Sequence, residues 1–213
     1  MAISPSGFGK DSAKHIIINS GVIYKNVTFD SAKPEDGFSE ATLLGASQGG
    51  VEVNIQNSIR KIEVDGTYFT DVKGTNVYES GKAEFTATIV EMSPEMIAMA
   101  GHAQVTKDAM TGYDRIDGKY TVTDDDYIEN IVIVGQLNGS EKYVIFVFEN
   151  VLITSDLKIK MEDKSEGSVE MTGQSNATYE QLQSKQSSWH IFYPQEVTAG
   201  GSTTDGTTSG TGQ

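Results

Sequence analysis

The stretch Val51-Glu52-Val53-Asn54-Ile55-Gln56 alternates apolar and polar residues without a break. So do Lys61-Ile62-Glu63-Val64-Asp65, Glu84-Phe85-Thr86-Ala87-Thr88-Ile89 and Leu157-Lys158-Ile159-Lys160-Met161-Glu162. Successive side chains of an extended strand point to opposite faces, so this period predicts strands with one apolar and one wet face. Residues 131–134 and 143–148 are instead apolar at every position, the pattern of central strands covered on both sides. A chain patterned this way is confined to a mainly β architecture.

Turn chemistry divides the strands. Asn138-Gly139 separates the two apolar runs and suits a two-residue hairpin turn, which predicts a hairpin over 127–150. Asp117-Gly118 is expected to join 113–116 to 119–123 in the same way, and Asp65-Gly66 to end or turn another strand. The glycines between Gly45 and Gly50 predict a bend or bulge leading into the strand at 51. One helix is expected at about 94–100. Ser93 can cap it, Pro94 is pre-set for its first position and Glu95 meets the positive end of its dipole. Met96, Ile97, Met99 and Ala100 form its apolar stripe, and Gly101 is expected to stop it in a left-handed conformation. Residues 179–187 could form a second, weaker helical turn. The fold class read from these patterns is therefore mainly β, with one short capped helix.

The chain has 213 residues, enough for one large β domain, and a formal net charge of −14. Phosphate affinity comes from Lys and Arg, so nucleic-acid binding and anionic membrane surfaces are disfavoured. Cysteine is absent, which removes disulfides, thiolate metal sites and cysteine nucleophiles. Met1 to Lys14 has no apolar stretch, so no signal peptide is expected, and no apolar run is long enough to span a bilayer. Asp30 to Thr42, with Pro34 and Gly37, reads as a long loop. Residues 198–213 are almost entirely Thr, Gly and Ser and read as a flexible tail, leaving 1–197 as the folded domain.

A search for chemistry finds no constellation. His15, His102 and His190 have no metal-ligand spacing, and no Gly-Lys-Ser/Thr follows the glycines at 45–50. The acidic groups Asp124-Asp125-Asp126 and Glu162-Asp163 read as solvated turns, although paired carboxylates could in principle serve a hydrolase or hold calcium. Asn26-Val27-Thr28, Asn138-Gly139-Ser140 and Asn176-Ala177-Thr178 match the glycosylation acceptor pattern, which is common by chance. Trp189 with Ile191, Phe192 and Tyr193 reads as a closing strand packed on the core. No catalytic residue, cofactor or metal is expected.

The order of these segments resembles the major tail tube proteins of long-tailed, siphovirus-type phages of Gram-positive hosts. The resemblance begins at Ile16-Ile17-Ile18-Asn19-Ser20-Gly21-Val22-Ile23-Tyr24 and continues through Leu43-Leu44-Gly45-Ala46-Ser47-Gln48-Gly49-Gly50-Val51. It takes in Arg60-Lys61-Ile62-Glu63-Val64-Asp65-Gly66, Lys73-Gly74, and 83–92 running into Ser93-Pro94-Glu95-Met96. It closes with 130–137, 143–151 and Glu162-Asp163-Lys164-Ser165-Glu166-Gly167, and covers about 15–193.

The resemblance implies a β-sandwich or barrel-like fold with one short flanking helix, and a non-enzymatic virion protein, assembled in the host cytoplasm, whose hexameric rings stack into the tail tube. Its implied partners are further copies of itself, the tape measure protein, the tail terminator and the baseplate or distal tail proteins. DNA would pass through during ejection without specific binding. In such a tube the wet strand faces could line the lumen, with Glu52, Asn54, Gln56, Glu84, Thr86 and Thr88 as candidates; the plain alternative is an outer, solvent-facing surface. Ring-to-ring contact is expected from the 30–42 loop, with Asp30, Lys33, Glu35 and Asp36, or from the 66–82 segment. Two other readings stand beside this one: a secreted β-sandwich that binds glycans, and the inner tube of a contractile or secretion system.

Overall fold

The structure is a computed structural model that describes residues 12–19, 21–29, 37–65, 72–138, 142–161 and 166–195. Asp30, Lys33, Glu35, Asp36, Glu162-Asp163 and the 198–213 tail lie outside these residues. Along the chain run β1 (Val22–Lys25), β2 (Ser47–Lys61), β3 (Asn76–Ile89), α1 (Pro94–Ala100), β4 (Ala103–Met110) and β5 (Tyr113–Gly118). They are followed by β6 (Ile128–Gln136), β7 (Tyr143–Ile153), β8 (Ile159–Lys160), β9 (Ser168–Gln174), α2 (Tyr179–Ser184) and β10 (Trp189–Phe192). Short 3-10 turns occupy Ser12–His15, Glu40–Thr42 and Asp124–Asp126.

All strand pairs are antiparallel, in the order β1-β6-β7-β9-β3-β2, with β10 also on β7 and β8 also on β9. β7 joins two layers. Its first part lies between β6 and β10, and its end, Leu152 and Ile153, pairs with Gln174 and Gly173 of β9. The strand bends at Asn150, whose φ of 48° is a left-handed value that asparagine tolerates better than most residues. The Asn150 side chain donates to the Asn176 carbonyl at 3.2 Å, and Asn176 Nδ2 donates back to the Asn150 carbonyl at 3.0 Å, fixing the corner. Tyr24 and Leu43 form an isolated bridge, and the chain runs from there into β2, so the layers curl back towards β1 in a barrel-like way.

The apolar positions of the alternating segments meet in the core. Phe85, Ala87 and Ile89 of β3, Ile131 and Ile133 of β6, Phe148 and Val151 of β7 and Met171 of β9 are buried together with Met96 and Ala100 of α1. Gly173 lets β9 approach this core, since a Cβ there would lie 2.5 Å from the Phe85 ring. The doubly apolar strands have a second buried face, where Val132, Val134, Ile145 and Val147 are covered by Val27, with Tyr24, Phe29 and Phe38 packed against them. That accounts for their lack of alternation.

The helix forms as its sequence predicts. Ser93 Oγ accepts from the Met96 amide at 3.2 Å, and Pro94 opens the first turn. Gly101 is not left-handed, however, with φ −99°; His102 takes the positive φ instead. Ala98 is buried with Met96 and Ala100, while Ile97 and Met99 are only half-buried. The second helical turn forms over Tyr179–Ser184, closed by a reciprocal Thr178–Gln181 cap.

Three local expectations are corrected. Asp117-Gly118 is no turn: both residues belong to β5, and Ala103 pairs with Gly118. The reversal falls at Thr111-Gly112, where Gly112 has φ 79°, and 119–123 is not a strand. Ladder pairing of β2 stops at Lys61↔Asn76, so Ile62 to Asp65 leave the strand. Of the described part of the alternation at 157–162 only Ile159–Lys160 is strand, paired with Val169 and Ser168 at the start of β9. The hairpin expected over 127–150 forms, with β6 pairing to β7 from Ile128↔Val151 to Gln136↔Tyr143, while Gly139 of its expected turn lies outside the described residues. The glycine bulge is where it was expected, between Gln48 and Val51, with φ of 83° at Gly49 and 92° at Gly50.

Candidate assembly surface

Alternation in three neighbouring strands builds one continuous polar face. Directly paired residues share a face of a sheet, and the register reads Gln48↔Thr88↔Glu170, Glu52↔Thr86↔Thr172 and Asn54↔Glu84↔Gln174, with Gln56↔Lys82 beyond. The six candidate lumen-lining residues, Glu52, Asn54, Gln56, Glu84, Thr86 and Thr88, therefore lie together on one side of the sheet, opposite the core. Asn54 Nδ2 donates to Glu84 Oε1 at 3.1 Å, Lys82 Nζ lies 2.5 Å from Glu84 Oε2, and the Thr86 and Thr172 hydroxyls are 3.1 Å apart. At one end, Asn19, Gln48, Glu52, Thr86, Thr88 and Glu170 help line a recess of about 360 Å³. The sequence reading missed Lys82, Glu170, Thr172 and Gln174, although Val169-Glu170-Met171-Thr172 carries the same alternation.

Among the described residues the sheet that bears this face has two open borders, the second of them beyond the point where the end of β7 leaves β9. β2 is terminal in the strand order on one side, and the two-residue β8 borders β9 on the other. Leu157, Ile159 and Met161 are exposed along the β8 border, Met161 at 84%. Unpaired strand borders invite pairing with another chain.

Beyond the sheet, the β2–β3 hairpin continues as a two-stranded ribbon. β3 pairs with β9 only from Glu84 to Ile89, whereas it pairs with β2 out to Asn76↔Lys61. Ile59 and Tyr78 face each other on this ribbon and are 65% and 61% exposed. Tyr78 Oη donates to Asn57 Oδ1 at 3.3 Å, lying across Gly81, where a Cβ would collide with it. Ile62, Val64, Val72 and Val77 add further exposed apolar surface. Of the two segments expected to make ring contacts, the described part of 66–82 is this ribbon.

The other candidate groups do not converge. His15 stacks on Tyr193 and lies 3.0 Å from its hydroxyl, and His190 lies 3.5 Å from Glu149. His102 borders a cleft of about 310 Å³ between α1, β4 and the 124–126 turn. Two of the carboxylates there are paired: Lys119 Nζ lies 2.5 Å from Asp126, and Lys107 Nζ lies 2.7 Å from Glu95 and 3.1 Å from Asp114. The Lys119 ammonium, together with the Thr123 amide, holds the Asp126 carboxyl down at a pKa of about 2. The Lys107 hydrogen bond lowers Glu95 and Glu95 raises Lys107, while the Asp108 amide and then Lys107 lower Asp114. Among the described residues no group of His, Asp or Glu could hold a metal ion, and no helix is long and apolar enough to cross a membrane. Trp189 packs against the core, while Ile191, Phe192 and Tyr193 beside it are partly exposed.

No protein-family model matches the chain, and no curated protein matches it. Among solved structures it is similar to a chain of the virion of a native gene transfer agent particle, at 11% identity and a TM-score of 0.36, over 75% of this chain and 92% of that one. It is also similar to a crystal structure of an Hcp protein, at 9% identity and a TM-score of 0.30, over 72% of this chain and 86% of that one.

Proposed function

We propose that this chain is a structural protein whose copies join into hexameric rings and stack as a phage tail tube, the conduit for DNA ejection. The observation that carries the reading is the pairing of a wholly polar sheet face with two open borders. Within that sheet the order is β2-β3-β9, and the far side of β9 carries the end of β7 at Gly173 and Gln174 and β8 at Ser168 and Val169, each pair antiparallel. An even number of alternating strands leaves β2 and β8 running in opposite senses. A second copy, rotated about a ring axis, then brings its β2 against β8 in antiparallel pairing, and closure of the ring removes both edges.

In such a ring the face bearing Glu52, Asn54, Gln56, Glu84, Thr86 and Thr88 turns inwards. Its carboxylates, Glu52, Glu84 and Glu170, outnumber the single Lys82 and would repel phosphates, so DNA slides rather than binds. The ribbon with Ile59 and Tyr78 reaches the next ring. Burying each of these side chains would contribute about 1.5–3 kcal/mol, and stacking by a contact that does not close produces a filament. The tape measure, tail terminator and distal tail proteins are the partners such a tube requires, and the virion is its place of residence.

Negative-stain electron microscopy of the concentrated full chain tests this reading. Rings or tubes with a central channel are expected, and dispersed monomers at every salt concentration and pH would overturn it. The inward face is tested separately with Thr86→Cys in a chain that has no native cysteine. In tubes, a small maleimide should reach the thiol while a bulky polymer maleimide should not. Equal labelling by both would place this face on the outside.

A further inference from the structure

The β4–β5 hairpin takes no part in the main sheet; it forms a two-stranded sheet of its own. An isolated hairpin is marginal in water without a surface to lie on. Here Val105 and Ile116 are half-buried on the base that packs on α1, and the Lys107 ammonium clamps the hairpin to Glu95 of the helix. From Asp108 to Arg115 the polar contacts stay within the hairpin, apart from that clamp. Its tip is apolar. Met110 and Tyr113 face each other, are 69% and 71% exposed, and with Ala109 frame a recess of about 280 Å³. Methionine and tyrosine are residue types that anchor interfaces.

The position of the base says which way the hairpin looks. A Cβ on Gly101, at the end of α1, would meet the Leu157 side chain at 3.1 Å, and Ile153 helps wall the cleft beneath the hairpin. Both residues flank the β8 border of the polar sheet, the border opposite β2. We infer that the β4–β5 hairpin is a strap between subunits, its Met110 and Tyr113 packing on a second copy of this chain across the β8–β2 seam. The receiving flank is the one behind β2, where β1 and Leu43 lie bridged and Val22 and Leu43 are exposed. The inference rests on the ring reading, because only that arrangement puts a second copy on this side. A strap of this kind adds apolar contact outside the backbone seam and leaves the polar lumen face unaltered.

The test compares the full-length chain with Met110→Ser/Tyr113→Ser by sedimentation velocity and electron microscopy over a concentration series. The expected result is assembly of the native chain, and a rise of about tenfold or more in the concentration the variant needs. Because both side chains are exposed in the single subunit, the variant's melting temperature as a monomer should be unchanged. Should the variant fail to fold, Met110→Cys, purified folded and then tagged with a bulky maleimide, must show the same loss of assembly. Equal assembly of native and altered chains would overturn the strap and leave the ring reading standing. A native chain that never assembles would overturn the ring reading, and the strap with it.

Discussion

Asp126 ties the 124–126 turn down from two sides. Its carboxylate accepts from the Thr123 amide at 2.8 Å and pairs with Lys119, and its pKa falls from an ordinary 3.8 to about 2. A carboxyl lowered on folding adds stability that is present above its unfolded pKa and is lost as pH falls from about 4 towards 2. Asp126→Asn should therefore flatten the acid limb of the stability curve over that window and lower the melting temperature at neutral pH by about 2–4 °C. Parallel acid limbs in the two proteins would refute the assignment. Gly173 tests the core in the same way. Gly173→Ala places a methyl group against the fully buried Phe85 ring and beside Val151, so denaturant titration should show a loss of about 1–3 kcal/mol.

At the scale of elements, the β2–β3 hairpin divides into two parts. Where β9 covers it, Phe85, Ala87 and Ile89 are buried; where β9 ends, Ile59 and Tyr78 stand open. A ribbon without a third strand opens readily, so its amides should exchange quickly in the monomer and become protected on stacking. Identical exchange in monomer and assembly would contradict a role in contact between rings. Ile59→Ser/Tyr78→Ser should leave the monomer's melting temperature within a few degrees and permit rings while preventing tubes. Electron microscopy separates the two outcomes, and normal tubes from this variant would remove the ribbon from the stacking contact.

For the whole molecule, the net charge of −14 sets the terms on which copies can meet. Like-charged subunits repel through a field that salt screens, with a Debye length of about 10 Å at 0.1 M. Assembly should therefore need a lower protein concentration as sodium chloride rises from about 50 to about 500 mM, measured by light scattering. The opposite trend would indicate that ion pairs, rather than backbone and apolar contacts, hold the seam together. The two open borders and the exposed residues of the ribbon and the β4–β5 tip give such contacts more than one place to form.

The period of two determined most of what this chain is. Alternation at 51–56 and 84–89 set which residues face the core, and the unbroken apolar runs at 131–134 and 143–148 marked the strands buried on both faces. The Ser93-Pro94 signal fixed the start of α1, because a cap is a local hydrogen bond between residues three apart. What the sequence left open was where each pattern stops and which strands share a layer, since both depend on a partner distant in the chain. The alternation at 61–65 loses its strand where pairing with Asn76 ends, and of 157–161 only Ile159 and Lys160 find ladder partners, at the start of β9. Asp117-Gly118 carries turn chemistry, but pairing with Ala103 and Gln104 overrides it. Likewise the six candidate lumen residues were chosen strand by strand. Only the register of β2, β3 and β9 placed them on a single face, because a slip of one residue would have turned one strand's polar set towards the core.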